Sequence, residues 1–564
     1  MENFFHKGDE MENTGYESQE LNHLGIIAGI CFEIGLIKKI DEYIPAKERE
    51  VSVGEAVQAM ILNAMGFVNR PLYLSPQFWA NKPVETLIRV GLEAEKLNDD
   101  CLGDALDALA KKGVTETFAK VASHALKVYG IEHEVWHLDS TTISFEGAYN
   151  PDEDSQAIKI TYGHAKQRPD LKQAVVSLLC SYKSAIPRWL EIHSGNEVDK
   201  TLFTEIIDKY LAQMEPGEEP CFIADSALYS SGNIASFSSR AKWITRVPET
   251  LTAAKQLIRD IEQENMTEAQ QPGYKFCEVC SNYGDIHQRW LVVYSQSAYD
   301  REYKTLLKRI EKAKDAAEKE LYRAQAQEYP TEQAAITTLR YLEQSWPYHI
   351  GIPEVKEIRH YAHHRGRPAA NAEPTHFTYQ ISVTLIEDQN KIAFARKTLG
   401  KYILATNQMD SDKMPCPKIL ESYTAQAGSV ERGFRFLKDP LFFASGLFLK
   451  KPERIMALIM IMGLSLLVYS LAERKLRLSL LENNETVPNQ TGKPVKNPTL
   501  RWIFQMFNGI HILIVKDQSS SRQLVLNLTP LHRKIIKLLG VEVEKCYFEG
   551  VAREIPDFLG NRKK

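Results

Sequence analysis

The segment "EVWHLDSTTISFEG", residues 134–147, marks the point where the pattern of the chain changes from helical to extended. Its alternating β-branched and aromatic residues predict a strand. The segment also contains an acid, Asp139, between Leu138 and a cluster of hydroxyl residues. A carboxylate in an otherwise apolar strand is costly unless it is paired or binds a metal. Because Ser140 follows it, Asp139 could equally begin a turn or a cap.

Further strand and helix patterns follow this first strand in a regular order. They predict the order β-β-β-α-β-α-β, which is an α/β arrangement. A second acid, Asp225 in "FIADSAL", ends the fourth strand and has the same two interpretations as Asp139. The predicted elements are strands at 174–182, 186–195, 221–230 and 242–248, and helices at 200–214 and 232–241.

The region before the first strand, residues 20–130, is predicted to be helical. Ser52, followed three residues later by Glu55, has the pattern of a capping box. A second helix in "NDDCLGDALDALAKKG" (98–113) begins in the same way and is followed by a helix–break–helix. Such a domain could bind DNA, but helical hairpins are also common as purely structural units.

Residues 250–400 interrupt the alternating order with a charged helix at 301–329 and several strands. No loop of ordinary length is so long and so structured, so we expect an insertion here. Further along, "IMALIMIMGLSLLVYSLA" (455–472) has 18 uncharged residues and just reaches the length of a membrane span. A helix that is apolar all round is also typical of the middle of a large domain, and we favour that interpretation.

The segment "SVERGFRFLKDP", residues 429–440, is predicted to be a helix with an apolar stripe. Glu431, Arg435 and Lys438 lie within about 60° of one another beside this stripe. One interpretation is a Glu431–Arg435 salt bridge on a solvated face, worth about 0.3–0.5 kcal/mol. The other is a functional acid beside two bases. The stripe consists of Val430, Phe434 and Leu437.

The three acids together suggest a metal-dependent site. Acids on the first strand, at the end of the fourth strand and on a later helix can converge on two divalent ions. Carboxylate oxygens suit Mg²⁺ or Mn²⁺. Two such ions, about 3.5–4 Å apart, activate a water or a 3′-hydroxyl in phosphodiester displacement. Arg435 and Lys438 could then hold DNA phosphates beside the ions.

The segment "YTAQAGSVERGFRFLK", residues 423–438, resembles the tyrosine–arginine–glutamate–lysine signature of bacterial insertion-sequence DDE transposases. The six residues between Glu431 and Lys438 fit that signature. Gln426 stands where arginine is usual, and four residues rather than three separate it from Glu431. The resemblance covers most of the chain. It is carried by "GFVNRPLYL" (66–74), "LNDDCLGDALD" (97–107), "HLDSTT" (137–142), "QRPDLKQ" (167–173), "ADSALYS" (224–230) and the segment 430–458.

This resemblance implies a ribonuclease-H-like catalytic domain, with a mixed five-stranded sheet, flanking helices and a β-rich insertion between Asp225 and Glu431. It implies that Asp139, Asp225 and Glu431 are the catalytic residues and ligands of two Mg²⁺ or Mn²⁺ ions, and that Tyr423 and Lys438 contact the DNA end. The expected domains are an all-α N-terminal domain at 1–130, a candidate for binding DNA ends, a catalytic domain at 131–249 and 408–480, a β-rich and helical insertion at 250–407, and a linker with a helical C-terminal region at 481–564.

Other basic residues are further candidates for DNA contact. The formal net charge of the 564-residue chain is −4, so DNA binding must come from local basic patches. In "HAKQRPDLKQ" (164–173), the basic residues either contact DNA or lie in a solvated loop. The "RGRP" within 363–370 resembles minor-groove hooks only weakly. The candidate DNA-binding residues are therefore Tyr423, Gln426, Arg435, Lys438, Lys166 and Arg168.

The eight scattered cysteines suit a reducing cytoplasm. Cys277 and Cys280 form a lone CxxC, for which we favour a strand-and-turn pair over a metal site. We expect a cytoplasmic DNA transposase that binds the terminal inverted repeats of an insertion sequence, cuts and joins DNA, and acts as a homodimer on paired ends, with no membrane association. The alternatives are an inactive transposase-derived DNA-binding protein, which Gln426 keeps open, a ribonuclease-H-like nuclease that cuts without joining, and a membrane protein built on 455–472.

Overall fold

The structure of the protein is a computed structural model. The structure describes residues 15–45, 49–66, 74–131, 135–147, 149, 157–163, 168–182, 184–214, 219–362, 372–439, 449–516 and 521–548.

The described residues contain sixteen strands. Their bounds are β1 Gly15–Glu20, β2 Val135–Phe145, β3 Lys172–Ser181, β4 Pro187–Ser194, β5 Cys221–Ala224, β6 Lys242–Arg246, β7 Thr267–Glu268, β8 Tyr274–Tyr283, β9 Ile286–Ser295, β10 His349–His360, β11 His376–Glu387, β12 Lys401–Thr406, β13 Val487–Pro488, β14 Pro494–Val495, β15 His511–Lys516 and β16 Ser521–Leu526.

Helices precede, flank and follow the strands. Their bounds are α1 Leu24–Glu33, α2 Leu36–Tyr43, α3 Val53–Ala64, α4 Ser75–Trp79, α5 Val84–Leu87, α6 Asp99–Lys112, α7 Val114–Val128, α8 Asp199–Leu211, α9 Ser231–Phe237, α10 Thr252–Asp260, α11 Gln296–Gln325, α12 Glu332–Glu343, α13 Gln389–Arg396, α14 Cys416–Thr424, α15 Val430–Leu437, α16 Pro452–Glu482, α17 Leu500–Met506, α18 Pro530–Leu539 and α19 Val541–Phe548, with short 3₁₀ turns at Ala94–Lys96, Gln263–Asn265 and Ala425–Gly428.

The chain divides into two compact units. The first unit comprises residues 1–244 and 422–564, and the second comprises residues 245–421. Both catalytic-acid candidates on strands and the helix with Glu431 belong to the first unit. The predicted α/β character is confirmed, because strands and helices alternate from β2 to β6 in the order expected from the sequence.

The sheet of the first unit is mixed. Its strand order is β4–β3–β2–β5–β6. β2 pairs antiparallel with β3 and parallel with β5, while β3 pairs antiparallel with β4. β3 is buried along nearly its whole length, as expected for a strand with neighbours on both sides and helices against its face.

Helix α16 is the core element of the first unit. It is long and apolar enough to cross a membrane by length and composition, but 94% of its most apolar 18-residue window is buried inside the protein. It packs against α1, α3, α6, α7, α15, α17, α18 and β4. The favoured interpretation of residues 455–472 as a buried core helix is therefore confirmed.

Local signals in the N-terminal helices predicted their ends correctly. Ser52 and Glu55 form the expected capping box at the start of α3. Asn98 accepts a hydrogen bond from the backbone N–H of Cys101 at the start of α6, and α6 ends at Gly113, whose φ is +104°. Each cap satisfies backbone groups that a helix end would otherwise leave unpaired.

A small sheet joins the first described strand to two strands late in the described chain, and the sequence patterns did not predict it. β1 pairs antiparallel with β15, which pairs antiparallel with β16. Helix α1 packs against α19. The polar region predicted as a linker also contains the short β13–β14 hairpin.

The second unit contains antiparallel strands in the order β12–β9–β8–β7. Its β10–β11 ribbon packs against α11 and α12 through a cluster that includes Leu321, Leu339 and Ile381. Cys277 and Cys280 both lie within β8. Because they are three residues apart, their side chains point to opposite faces of the strand, which fits the favoured interpretation of the CxxC.

Candidate active site

Asp139 and Asp225 lie on neighbouring parallel strands. Asp139 is within β2, and Asp225 directly follows β5. His137 of β2 is paired in register with Ile223 of β5. Asp139 and Asp225 each lie two residues beyond this last pair, with Asp225 just past the end of β5, so both acids lie where the pairing of β2 with β5 ends. The two acids, distant in sequence, are thus neighbours at this edge of the strands.

Helix α15 covers the same face of the sheet. Leu178 of β3 is paired with Asp139, and Cys180 is paired with His137. Residues opposite each other in an antiparallel pair project from the same face. A Cβ at Gly433 of α15 would lie 3.4 Å from Leu178 Cδ1 and 3.8 Å from Cys180 Sγ. The helix that contains Glu431 therefore packs on the face from which Asp139 projects.

Two polar contacts, which the sequence patterns did not indicate, attach this helical segment to the sheet. The Nε2 atom of His137 lies 2.8 Å from the carbonyl oxygen of Ser422. The hydroxyl of Ser429 donates a hydrogen bond of 2.8 Å to the carbonyl oxygen of Ser181. Burial lowers the pKa of His137 to about 4, so the ring is neutral near pH 7. The sequence offers only one weak signal for these contacts, which is that His137 and Ser429 are polar residues two positions from the candidate acids Asp139 and Glu431.

The predicted division of α15 into an apolar stripe and a charged edge is confirmed. Val430, Phe434 and Leu437 are buried. Glu431, Arg435 and Lys438 are all exposed beside this stripe.

The carboxylate of Glu431 forms no ion pair with Arg435 within the described part of the chain, so the salt-bridge interpretation is wrong. The Arg435 guanidinium instead donates a hydrogen bond of 3.0 Å to the carbonyl oxygen of Ala427. Among the residues described, Glu431 makes no hydrogen bond or ion pair, and its carboxylate faces solvent.

Arg432, by contrast, turns towards the core. It forms an ion pair with Glu473 of α16, whose side chain is only 3% exposed. Glu473 also contacts Arg477 at 2.9 Å and accepts a hydrogen bond from the backbone N–H of Leu500. The charge of Arg432 therefore neutralises a buried carboxylate of the protein itself.

Lys438 lies close enough to Asp139 for their charges to interact. Burial lowers the pKa of the Lys438 ammonium group, and the negative charge of Asp139 opposes this shift. Burial also raises the pKa of the Cys180 thiol, and the charge of Asp139 adds to that effect. Lys438, at the end of α15, is thus close enough to Asp139 of β2 for the two charges to attract each other.

Tyr423 and Gln426 lie just before α15. Tyr423 is half-buried in α14, and Gln426 lies in the 3₁₀ turn Ala425–Gly428. The Nε2 atom of the Gln426 side chain is buried and has no hydrogen-bond partner among the described residues.

The other basic candidates are less well defined. Arg168 is exposed and forms an ion pair of 2.9 Å with Asp170 in the same loop. Lys166 lies outside the described residues, as does the RGRP segment at 363–370.

The donor chemistry of the three acids fits a hard divalent ion, because each can offer carboxylate oxygens. Asp139 Oδ1 accepts a hydrogen bond from the Ser140 N–H, and Asp225 Oδ1 accepts one from the Ala227 N–H, each 2.8 Å long. Within the described residues, no group of three or more His, Cys, Asp or Glu side chains is close enough to hold a metal ion. The acids share one face of the sheet without forming a compact cluster.

Comparison with known proteins gives two family matches. Residues 132–469 match the family described as the transposase DDE domain. Residues 16–123 match a domain of unknown function, DUF4277. No curated protein matches the chain. Among solved structures, a cryo-EM structure of the piggyBac transposase synaptic complex with hairpin DNA is similar at 8% identity and a TM-score of 0.36, covering 87% of this chain and 82% of that chain.

Proposed function

The chain belongs to the transposase DDE domain family, and we propose that it is the DNA transposase of a bacterial insertion sequence with the tyrosine–arginine–glutamate–lysine signature. It binds the terminal inverted repeats of its element, cuts at the element ends and joins them to target DNA. The observation that carries the proposal is the parallel register of β2 and β5, which makes Asp139 and Asp225 neighbours beneath the helix that contains Glu431.

The catalytic core in this proposal is ribonuclease-H-like. The strand order β4–β3–β2–β5–β6 supports it, since three antiparallel strands lead and the fourth returns parallel beside the first. The catalytic domain comprises residues 131–249 and 408–480, and residues 250–407 are its insertion. Asp139 and Asp225 then lie at the centre of the sheet, where two adjacent strands present their side chains together.

Asp139, Asp225 and Glu431 would hold two Mg²⁺ or Mn²⁺ ions. When bound, such ions supply an activated water or 3′-hydroxyl and stabilise the leaving oxygen. In this proposal the protein holds the three carboxylates on one face of the sheet and leaves the Glu431 carboxylate without an ion pair, so that it can bind a metal ion. The solvent-facing Glu431 carboxylate, with no partner among the described residues, supports that role, because a salt-bridged acid would first have to break its pair.

The bases of α15 position the substrate. Arg435 and Lys438 flank Glu431 on the exposed edge, where they can bind DNA phosphates. Tyr423 and Gln426 contact the DNA end, with Gln426 in the place where the signature has arginine. Lys166 and Arg168 provide further phosphate contacts; Arg168 would exchange Asp170 for phosphate.

The remaining parts have supporting roles. The helical domain at 1–130 binds the terminal inverted repeats, and a homodimer brings the two ends together. The eight cysteines, all free thiols, support action in the cytoplasm.

The test uses as substrate the DNA that flanks the gene, where this proposal expects short inverted repeats. We expect Asp139→Asn, Asp225→Asn and Glu431→Gln each to reduce Mg²⁺-dependent end cleavage to background while leaving the affinity for the repeat unchanged, because each substitution removes a charged ligand and keeps the side-chain shape. Glu205→Gln on α8, an exposed acid away from this face, is the matched control and should cleave like the wild type.

The same assay separates the alternatives. Normal cleavage by any of the three variants would remove that acid from the site. A wild-type protein that cuts but never joins pre-cut ends to target DNA would be a nuclease, and one that binds the repeats without nicking them would be an inactive DNA-binding protein.

A further inference from the structure

Five lysines gather on one surface of the N-terminal helices. Four are exposed and Lys39 is half-buried. We call this the lysine surface. It consists of Lys38 and Lys39 on α2, Lys112 at the end of α6, and Lys120 and Lys127 on α7.

Tyr43 lies at the centre of the lysine surface. The Nζ atom of Lys120 is 3.5 Å from the centroid of its ring, and that of Lys112 is 4.3 Å from the same centroid. A cation over an aromatic ring gains about 0.5–1 kcal/mol at an exposed site. Two ammonium groups against one ring also repel each other, so this arrangement concentrates positive charge that an anion would relieve.

The lysine surface is only partly neutralised by the protein. Glu42 contacts Lys39 at 2.8 Å and Lys38 at 3.9 Å. In the parts of the chain that the structure describes, Lys112, Lys120 and Lys127 form no salt bridge with a carboxylate. The local excess of positive charge contrasts with the formal net charge of −4 for the whole chain.

A groove runs through this surface. Its volume is about 420 Å³, and its lining includes three lysines, one carboxylate and several neutral polar groups: Lys39, Lys120, Lys127, Glu42, Ser123, His124 and Gln213. Burial lowers the pKa of His124, with the charge of Lys39 the next contribution. The groove thus combines neutral hydrogen-bonding groups with three cations and one carboxylate, and this positive excess is expected where phosphate oxygens bind.

We propose that the lysine surface binds the sugar–phosphate backbone of double-stranded DNA. The inference rests on the proposed function and assigns a partner to a surface of the region that matches DUF4277. A DNA duplex presents about one negative charge per 1.7 Å of its axis, so it can engage lysines on α2, α6 and α7 at the same time. The contact is to phosphates, so it fixes the position of the duplex and does not depend on base sequence.

The experiment measures the affinity of the full-length protein for a duplex of unrelated sequence at a series of salt concentrations. In Lys38→Gln/Lys120→Gln/Lys127→Gln, we expect affinity at low salt to fall at least about tenfold and the slope of log K against log salt to decrease by about 0.9 for each phosphate that the variant no longer neutralises. The control Lys304→Gln/Lys308→Gln/Lys312→Gln removes the same charge from exposed positions on α11 and should behave like the wild type.

Thermal unfolding shows whether the triple variant is folded. If it is not, Lys38→Gln/Lys127→Gln leaves both lysines at the Tyr43 ring intact and should lower the slope by about 1.8 if each replaced lysine binds one phosphate. A folded variant with unchanged affinity and slope, or an equal fall in affinity in the α11 control, would overturn the inference.

End cleavage with Mg²⁺ at saturating DNA separates this inference from the proposed function. If the wild type cleaves and the surface variant binds normally, only the lysine surface is wrong. If the surface variant binds DNA more weakly but the wild type never cleaves, only the proposed catalysis is wrong.

Discussion

At the scale of single residues, two arginines three positions apart on α15 have different tasks. Arg432 reaches a carboxylate in the core, whereas Arg435 stays on the exposed edge beside Glu431. The sequence segment shows the same residue type twice, and only the direction of each side chain around the helix separates them. A basic residue beside a candidate acid is therefore informative only after its partner is known.

Replacing Arg432 with methionine should destabilise the protein by about 3 kcal/mol, because the change leaves Glu473 buried with one cation fewer. Arg435→Met, the matched control on the same helix, should change the free energy of unfolding by less than about 0.5 kcal/mol. Urea unfolding measures both. Arg435→Met should instead weaken binding of the DNA end, and equal stability of the two variants would contradict the assignment of Arg432 to the core.

At the scale of elements, local patterns predicted the strands from β2 to β6, the capping box of α3 and the exposed edge of α15. They could not predict which residues become neighbours. The pairing of Asp139 with Leu178 and its position beside Asp225 depend on strand register, which is set by contacts between distant segments. The contact between His137 and Ser422 has the same origin. Candidate acids could thus be named from sequence, but their shared face could not.

Gly433 sets how closely α15 approaches helix α16, between that helix and the sheet. A Cβ there would already lie 3.1 Å from Leu466 Cδ2, so Gly433→Leu should overpack this contact and cost about 1–3 kcal/mol of stability. Gly428→Leu is the control, since nothing lies within 4 Å of a Cβ at that position. We expect denaturant unfolding to show a decrease in stability in the first variant only, and cleavage to fall with it because α15 moves Glu431 away from Asp139. A fully stable Gly433→Leu protein would mean that α15 does not pack closely against α16 at this point.

At the scale of the whole molecule, the first described segments pair and pack with the last described segments. β1 pairs with β15, and the ring of Tyr547 on α19 packs against Gly25 of α1. The Tyr547 hydroxyl donates a hydrogen bond of 2.6 Å to the carbonyl oxygen of Asn22. The N-terminal helices therefore depend on residues near the other end of the chain.

Tyr547→Ala should cost about 3–5 kcal/mol, because it removes a fully buried aromatic side chain and leaves a cavity beside α1. Phe548→Ala, at the next position, removes a ring that is 39% exposed and should cost less than about 1 kcal/mol. Urea unfolding gives both values, and limited proteolysis should cut the N-terminal helices faster only in the Tyr547 variant. Similar protection in both variants would show that α1 is held without α19.

The pairing of β1 with β15 also determines when the N-terminal region can finish folding during synthesis. At about 5–20 residues per second, the ribosome makes Lys516 on the order of a minute after Gly15. During that interval β1 has no strand to pair with, and the apolar surface of α1 that contacts α19 is exposed. We expect chaperones to bind this N-terminal region until synthesis reaches β15 and α19. Chains that stop before β15 would lack this closure, and we expect proteases to degrade them faster than chains that contain it.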